Sequence, residues 1–121
     1  MARILIVDDE PELVDIIRII LENAGYEVKS AYSGSECLIR VEKEKFDLIL
    51  MDIRMPRMDG WETLRRMRKK GVLNDTKVII LTIEKGPGVE IFGLQDVVKD
   101  YLTKPFDRDT LLRSITEILG R

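Results

Sequence analysis

Three short runs of apolar residues, at positions 4–7, 48–51 and 78–81, constrain this chain most. Each is too short for an ordinary helix and too uniformly apolar for a strand with one wet face, so each fits a parallel strand covered on both sides. Between the runs the apolar spacing becomes helical. Leu13, Ile16, Ile17, Ile20, Leu21 and Ala24 recur at helical intervals, and Gly25 follows as a stop. Residues 27–31 alternate more and read as a second strand, with a helix over 34–43 that turns Leu38 and Val41 inward. The third strand reads as 47–51, with Asp52 just past it. The spacing then predicts a helix over 61–69, a short fourth helix over 89–97 and a fifth strand over 100–103. A last helix carries Leu111, Leu112, Ile115, Ile118 and Leu119 on one side, with Asp107 as its N-cap. Five strands alternating with five helices specify a doubly wound α/β fold, whose ligands bind where the strands end.

The 121 residues are enough for one core, and 1–121 is expected to form one domain. An apolar fraction of 45% excludes general disorder. A net charge of −2 gives no general attraction to nucleic acid or anionic membranes, and no run approaches a membrane span. The N-terminal residues lack the pattern of a secretory signal. The one cysteine, Cys37, has no partner for an internal disulfide and is expected to pack in the core. A cytoplasmic protein is expected. The sequence has no histidine, so imidazole bases and histidine metal ligands are excluded. Chemistry is left to carboxylates, lysine, threonine and tyrosine.

The residues just past the strands supply that chemistry: Asp8 and Asp9, Asp52, Thr82 and Lys104. A parallel sheet brings them to one edge. Three carboxylates there repel one another, and one is expected to take up a proton unless a cation is bound. Oxygen donors without histidine favour Mg²⁺. A carboxylate beside Mg²⁺ can attack a phosphoryl group to give an acyl phosphate, while lysine and threonine stabilise the transferring oxygens. Each residue alone has a plainer reading. Asp9 with Glu12 fits a helix capping box, Asp52 a polar strand end, Thr82 a β-former and Tyr101 a half-exposed strand residue. The set in register outweighs these. The basic run Arg65, Arg66, Arg68, Lys69 and Lys70 suits a solvated helix C-terminus better than a nucleic-acid surface, because no aromatic residue interleaves it.

Four ordered motifs carry a resemblance over essentially the whole chain: ILIVDDE at 4–10, LMDIRMPRMDG at 50–60, LT at 81–82 and YLTKPF at 101–106. The chain resembles the receiver domain of two-component response regulators. The resemblance implies a flavodoxin-like sheet in the order 2-1-3-4-5, with Asp52 as the phosphorylated aspartate. It makes Asp8, Asp9, Asp52 and the backbone carbonyl of Arg54 the ligands of Mg²⁺, Thr82 and Lys104 the phosphoryl contacts, and Thr82 with Tyr101 the switch pair. It also implies a cis Lys104–Pro105 bond. The implied partners are a histidine kinase or phosphotransfer protein and a downstream target, reached through the face of helix four, strand five and helix five. Such a domain catalyses its own phosphorylation and dephosphorylation, but its task is signalling. A phosphorylation-dependent dimer through the face around Tyr101 is compatible with it. Kinases of the family dock against helix one, which makes Ile19, opposite the buried stripe, a candidate contact. The competing reading is a receiver-like binding module that is never phosphorylated. An aspartate-nucleophile phosphatase would carry Asp-x-Asp after its first strand, where this chain has Asp8, Asp9 and Glu10.

Three departures from the family pattern bear on readout. Ile83 stands where a small residue is usual and is expected to narrow access to Asp52. Arg54 and Glu84, each two residues beyond a key residue, fall at positions that tune acyl-phosphate lifetime, and their opposite charges are expected to pair across the site mouth. The segment 93–100 lacks a closing glycine and carries Val97 and Val98, which predicts a short, displaced or poorly formed fourth helix.

Overall fold

In the computed structural model, which describes residues 1–83 and 88–120, all five strands pair in parallel in the order β2-β1-β3-β4-β5. The strands are β1 (Arg3–Val7), β2 (Glu27–Ala31), β3 (Leu48–Asp52), β4 (Lys77–Thr82) and β5 (Val98–Thr103). Among the described residues, α1 (Pro11–Asn23), α2 (Gly34–Lys43) and α3 (Gly60–Lys69) connect the first four strands in turn, and α4 (Arg108–Leu119) follows β5. Every residue of β3 is buried, as its unbroken apolar run requires. Alternate side chains of the strands feed two separate cores. Ile4, Ile6, Leu48, Leu50, Ile79 and Leu81 pack against α1 and α4 through Val14, Ile17, Leu21, Leu111 and Ile115. Leu5, Val7, Ile49, Met51 and Ile80 face α2 and α3 through Cys37, Leu64 and Met67. Cys37 is thus a packing residue, and burial pushes its thiol up to about 12.

Helix starts follow local chemistry. Ser33, Asp59 and Asp107 each accept a hydrogen bond from the backbone N–H three residues on, at 3.1, 2.8 and 2.8 Å. The plainer reading of Asp9, a capping box with Glu12, is not what forms: the N-cap of α1 is Glu10, without a side-chain cap bond, and Pro11 opens the helix. The stripe of α1 also shifts. Val14, Ile17 and Leu21 are its buried residues, whereas Ile16 and Ala24 face solvent.

The predicted fourth helix is absent among the described residues; only a 3-10 turn, Val89–Ile91, stands in its place. Gly93 at φ +86 breaks any helical path there. Val97 turns its carbonyl to the N–H of Val78 at 2.8 Å and Val98 begins β5, so the two β-branched residues serve the sheet. Leu94 and Val97 are nevertheless buried in the core. The segment is tied to α3 by an Arg68–Asp96 ion pair at 2.6 Å and by a bond from Arg65 to the carbonyl of Glu90. Most of the basic run at the end of α3 is therefore spent on neighbours, Arg66 pairing with Glu62 and Lys70, just past the helix, with Glu42.

At one sheet edge, β2 uses Glu27, Lys29 and Ala31 to bond β1, which points the carbonyls of Val28 and Ser30 outward. Arg18 from α1 takes the first at 3.2 Å and Arg40 from α2 the second at 2.9 Å. Both outward carbonyls of this edge are occupied by side chains from the same chain.

Candidate functional site

The strand order reverses between β1 and β3, where the chain has laid β2 on one side of β1 and then β3, β4 and β5 on the other, and the two strand ends at that switch point hold the acidic residues. Asp8 follows β1 and is fully buried; its N–H donates to the carbonyl of Ala31 at 3.2 Å, and its Oδ1 accepts from the N–H of Glu10 at 3.0 Å. Asp9 is partly exposed beside it. Asp52 closes β3 and is 4% exposed. One carboxylate oxygen from each of Asp8, Asp9 and Asp52 lies within 4.8 Å of the others.

Lys104 reaches the same point from the end of β5. Its backbone N–H donates to the carbonyl of Thr82 at 2.7 Å, joining the ends of β4 and β5, and the Lys104–Pro105 bond is cis. Its Nζ donates to Asp8 Oδ2 at 2.8 Å, Asp52 Oδ1 at 3.3 Å and Glu10 Oε1 at 3.3 Å. Thr82 is buried at the end of β4, and a cavity of about 200 Å³ is lined by Glu10, Asp52, Arg54, Thr82, Ile83 and Lys104. The structure thus brings together Asp8, Asp9, Asp52, Thr82 and Lys104, with Arg54 and Ile83 at the rim. Glu84 and the expected Arg54–Glu84 pair lie outside the described residues.

Electrostatics follow from this packing. Burial first, and the neighbouring charge of Asp8 second, push the Asp52 carboxyl up from 3.8 to about 6, against the opposing pull of Lys104. Burial draws Lys104 down, but its bond to Asp8 and the charges of Asp8 and Asp52 outweigh that and leave it raised. The acidic set therefore carries repulsion that Lys104 relieves only in part. Its donors are three carboxylates with no nitrogen or sulfur among them, which suits a hard cation such as Mg²⁺. The residues present fit that ion.

Tyr101 lies apart from this cluster, on β5. Its hydroxyl is buried without a hydrogen-bond partner among the described residues, its ring is tilted on Trp61 with centroids 6.4 Å apart, and burial raises its pKa. The side chain is thus already turned inward. Ile19 is 58% exposed, and Ile16, one turn earlier, is 56% exposed.

Two features of the site escaped the sequence reading. Glu10 was legible as the third residue of the acidic run, but nothing local shows that it reaches Lys104. Gly60 was legible as a motif residue, but only the fold places it so close to Asp52 that a Cβ would stand 2.3 Å from the Asp52 carbonyl oxygen.

Comparison with known proteins gives a consistent result. The family model described as the response regulator receiver domain matches residues 4–116. Protein PilH of Pseudomonas aeruginosa is 38% identical over 120 residues, covering 99% of this chain and 99% of PilH. Three transcriptional regulators at 34–36% identity are spanned over only 46–50% of their own length. Among solved structures, the CheY-like receiver domain protein of Methanospirillum hungatei superposes with a TM-score of 0.89 at 36% identity, covering 98% of this chain and 94% of that one. TrrA of Thermotoga maritima, solved in complex with Mg²⁺-BeF, gives 0.82 at 32% identity, with 98% and 99% covered.

Proposed function

Because this chain belongs to the response regulator receiver domain family, we propose that it is a signalling switch thrown by transfer of a phosphoryl group to Asp52. The observation that carries the proposal is the bridging of Asp8 and Asp52 by one lysine ammonium, at 2.8 and 3.3 Å, beside a third carboxylate and a buried threonine. A carboxylate raised to about 6 is still largely ionised at neutral pH, so Asp52 keeps its nucleophilic form. The partner is a histidine kinase or phosphotransfer protein bearing a phosphohistidine. An Asp52 carboxylate oxygen forms the new bond to phosphorus as the phosphorus–nitrogen bond breaks, and the imidazole leaves with the nitrogen's electron pair. Lys104 Nζ and the Thr82 hydroxyl meet the phosphoryl oxygens. Mg²⁺ held by Asp8, Asp9, Asp52 and the carbonyl of Arg54 would offset the acidic repulsion and polarise those oxygens. Arg54, which lines the cavity, tunes the lifetime of the acyl phosphate in this reading.

The partner docks against α1, where Ile16 and Ile19 form an exposed apolar pair. Output passes through Thr82 and Tyr101 to the face made by the 89–97 segment, β5 and α4, to a downstream target or to a second copy of the chain. Among the described residues no helix is long and apolar enough to cross a membrane.

The test is incubation with acetyl phosphate and Mg²⁺ followed by intact mass. One phosphoryl adduct is expected on the wild type and none on Asp52→Asn. No adduct under conditions that modify another receiver would establish instead the reading of an unphosphorylated binding module.

A further inference from the structure

An ammonium has three donors, and Lys104 directs its Nζ at three carboxylates: Asp8 at 2.8 Å, Asp52 at 3.3 Å and Glu10 at 3.3 Å. A phosphoryl oxygen is met by Lys104 only where one of them yields. The Asp8 side chain is wholly buried and that of Asp52 is 6% exposed, whereas that of Glu10 is 63% exposed. Glu10 is therefore the partner that leaves at least cost, because water is at hand to solvate it. Its side chain is not occupied in capping α1, although it is the N-cap residue. Its backbone N–H is bonded to Asp8 Oδ1, which fixes it over the site, and it lines the cavity that leads to Asp52.

We infer that Glu10 is a positioning and specificity residue: it parks the Lys104 ammonium at the cavity mouth and repels free anionic phosphodonors, favouring phosphoryl delivered by a docked protein. This rests on Asp52 being the acceptor. A protein donor brings surface contacts that offset the local repulsion, and a small anion brings none. With acetyl phosphate an Asp52 oxygen bonds to phosphorus, the bond from phosphorus to the acetyl oxygen breaks, and acetate leaves with its electron pair. Glu10 takes no part in that exchange; its charge acts on the approaching dianion, and its bond to Lys104 opens as the phosphoryl oxygens arrive.

The experiment compares wild type, Glu10→Gln and Glu10→Asp at saturating Mg²⁺, following phosphorylation by intact mass. Each is given acetyl phosphate, a dianion at neutral pH, or phosphoramidate, which carries a single net negative charge. At low salt Glu10→Gln is expected to react with acetyl phosphate roughly three- to tenfold faster, the Boltzmann factor for one charge acting on a dianion about 8 Å away in a near-aqueous dielectric. The gain should lie in the half-saturating donor concentration rather than the limiting rate, be smaller with phosphoramidate, and shrink at about 0.5 M salt. Glu10→Asp keeps the charge and withdraws the carboxylate from Lys104, so it should gain less than Glu10→Gln. A Glu10→Gln rate at or below wild type, or a gain equal for both donors and indifferent to salt, overturns the inference. If the wild type takes no phosphoryl group from either donor, the acceptor assignment itself falls.

Discussion

Replacing Asp52 by asparagine tests the electrostatics of the site without any phosphoryl chemistry. In the folded chain Asp52 holds its proton up to about pH 6, against 3.8 for an ordinary aspartate. Between those two values the native state binds more protons than the unfolded state, so stability falls as pH rises through that window. Above about pH 6 the full cost of the ionised group is present. At 1.36 kcal/mol per pH decade, a rise of about two decades corresponds to about 3 kcal/mol. The group borders a water-accessible cavity, which reduces the expected cost to about 1–2 kcal/mol. In metal-free buffer at pH 7.5, Asp52→Asn should therefore be more stable than wild type by that amount, or by about 4–8 °C in Tm. Near pH 4 the gain should vanish, because wild-type Asp52 is then neutral in the folded state. Urea melts at both pH values measure the difference. Adding Mg²⁺ should stabilise the wild type and help the variant less. A variant less stable than wild type at pH 7.5, or an advantage unchanged between pH 7.5 and pH 4, refutes the account of Asp52 as a repelled carboxylate.

Three further outcomes follow from the packing. Gly60→Ala places a Cβ 2.3 Å from the Asp52 carbonyl oxygen, so it should lose about 1–3 kcal/mol in urea melts and slow phosphorylation by displacing the acceptor; unchanged stability would contradict the close approach. Tyr101→Phe removes a hydroxyl that is buried and has no partner among the described residues, so thermal melts should show it equal to wild type or up to about 1 kcal/mol more stable. Removing Arg18 and Arg40 together exposes the outer carbonyls of β2, which should cost about 1–2 kcal/mol and increase light scattering on heating relative to wild type.

The sequence by itself determined the sheet. Uniformly apolar runs of strand length admit only a doubly covered parallel arrangement, and the residues ending those runs then fall on one edge, which is why Asp8, Asp52, Thr82 and Lys104 were legible before any coordinates. The caps at Asp107 and the stop at Gly25 were legible too, because each depends on bonds within a few residues. Tertiary structure decided what depends on distant partners. Val97 and Val98 are a weak helix end in sequence, but in the fold Val97 bonds Val78 of β4 and Val98 begins β5, because an open sheet edge beside β4 offers a ladder that a local helix cannot match. Ile16 and Val14 exchange places because the line of α1 on the sheet, rather than the hydrophobic count, selects the buried face. At the site, the sequence named the groups and the fold set their charges. Only burial and the nearby charge of Asp8, against the pull of Lys104, make Asp52 an unusual carboxylate, and only the 94-residue reach from Glu10 to Lys104 joins the acidic run to the lysine at the cavity mouth.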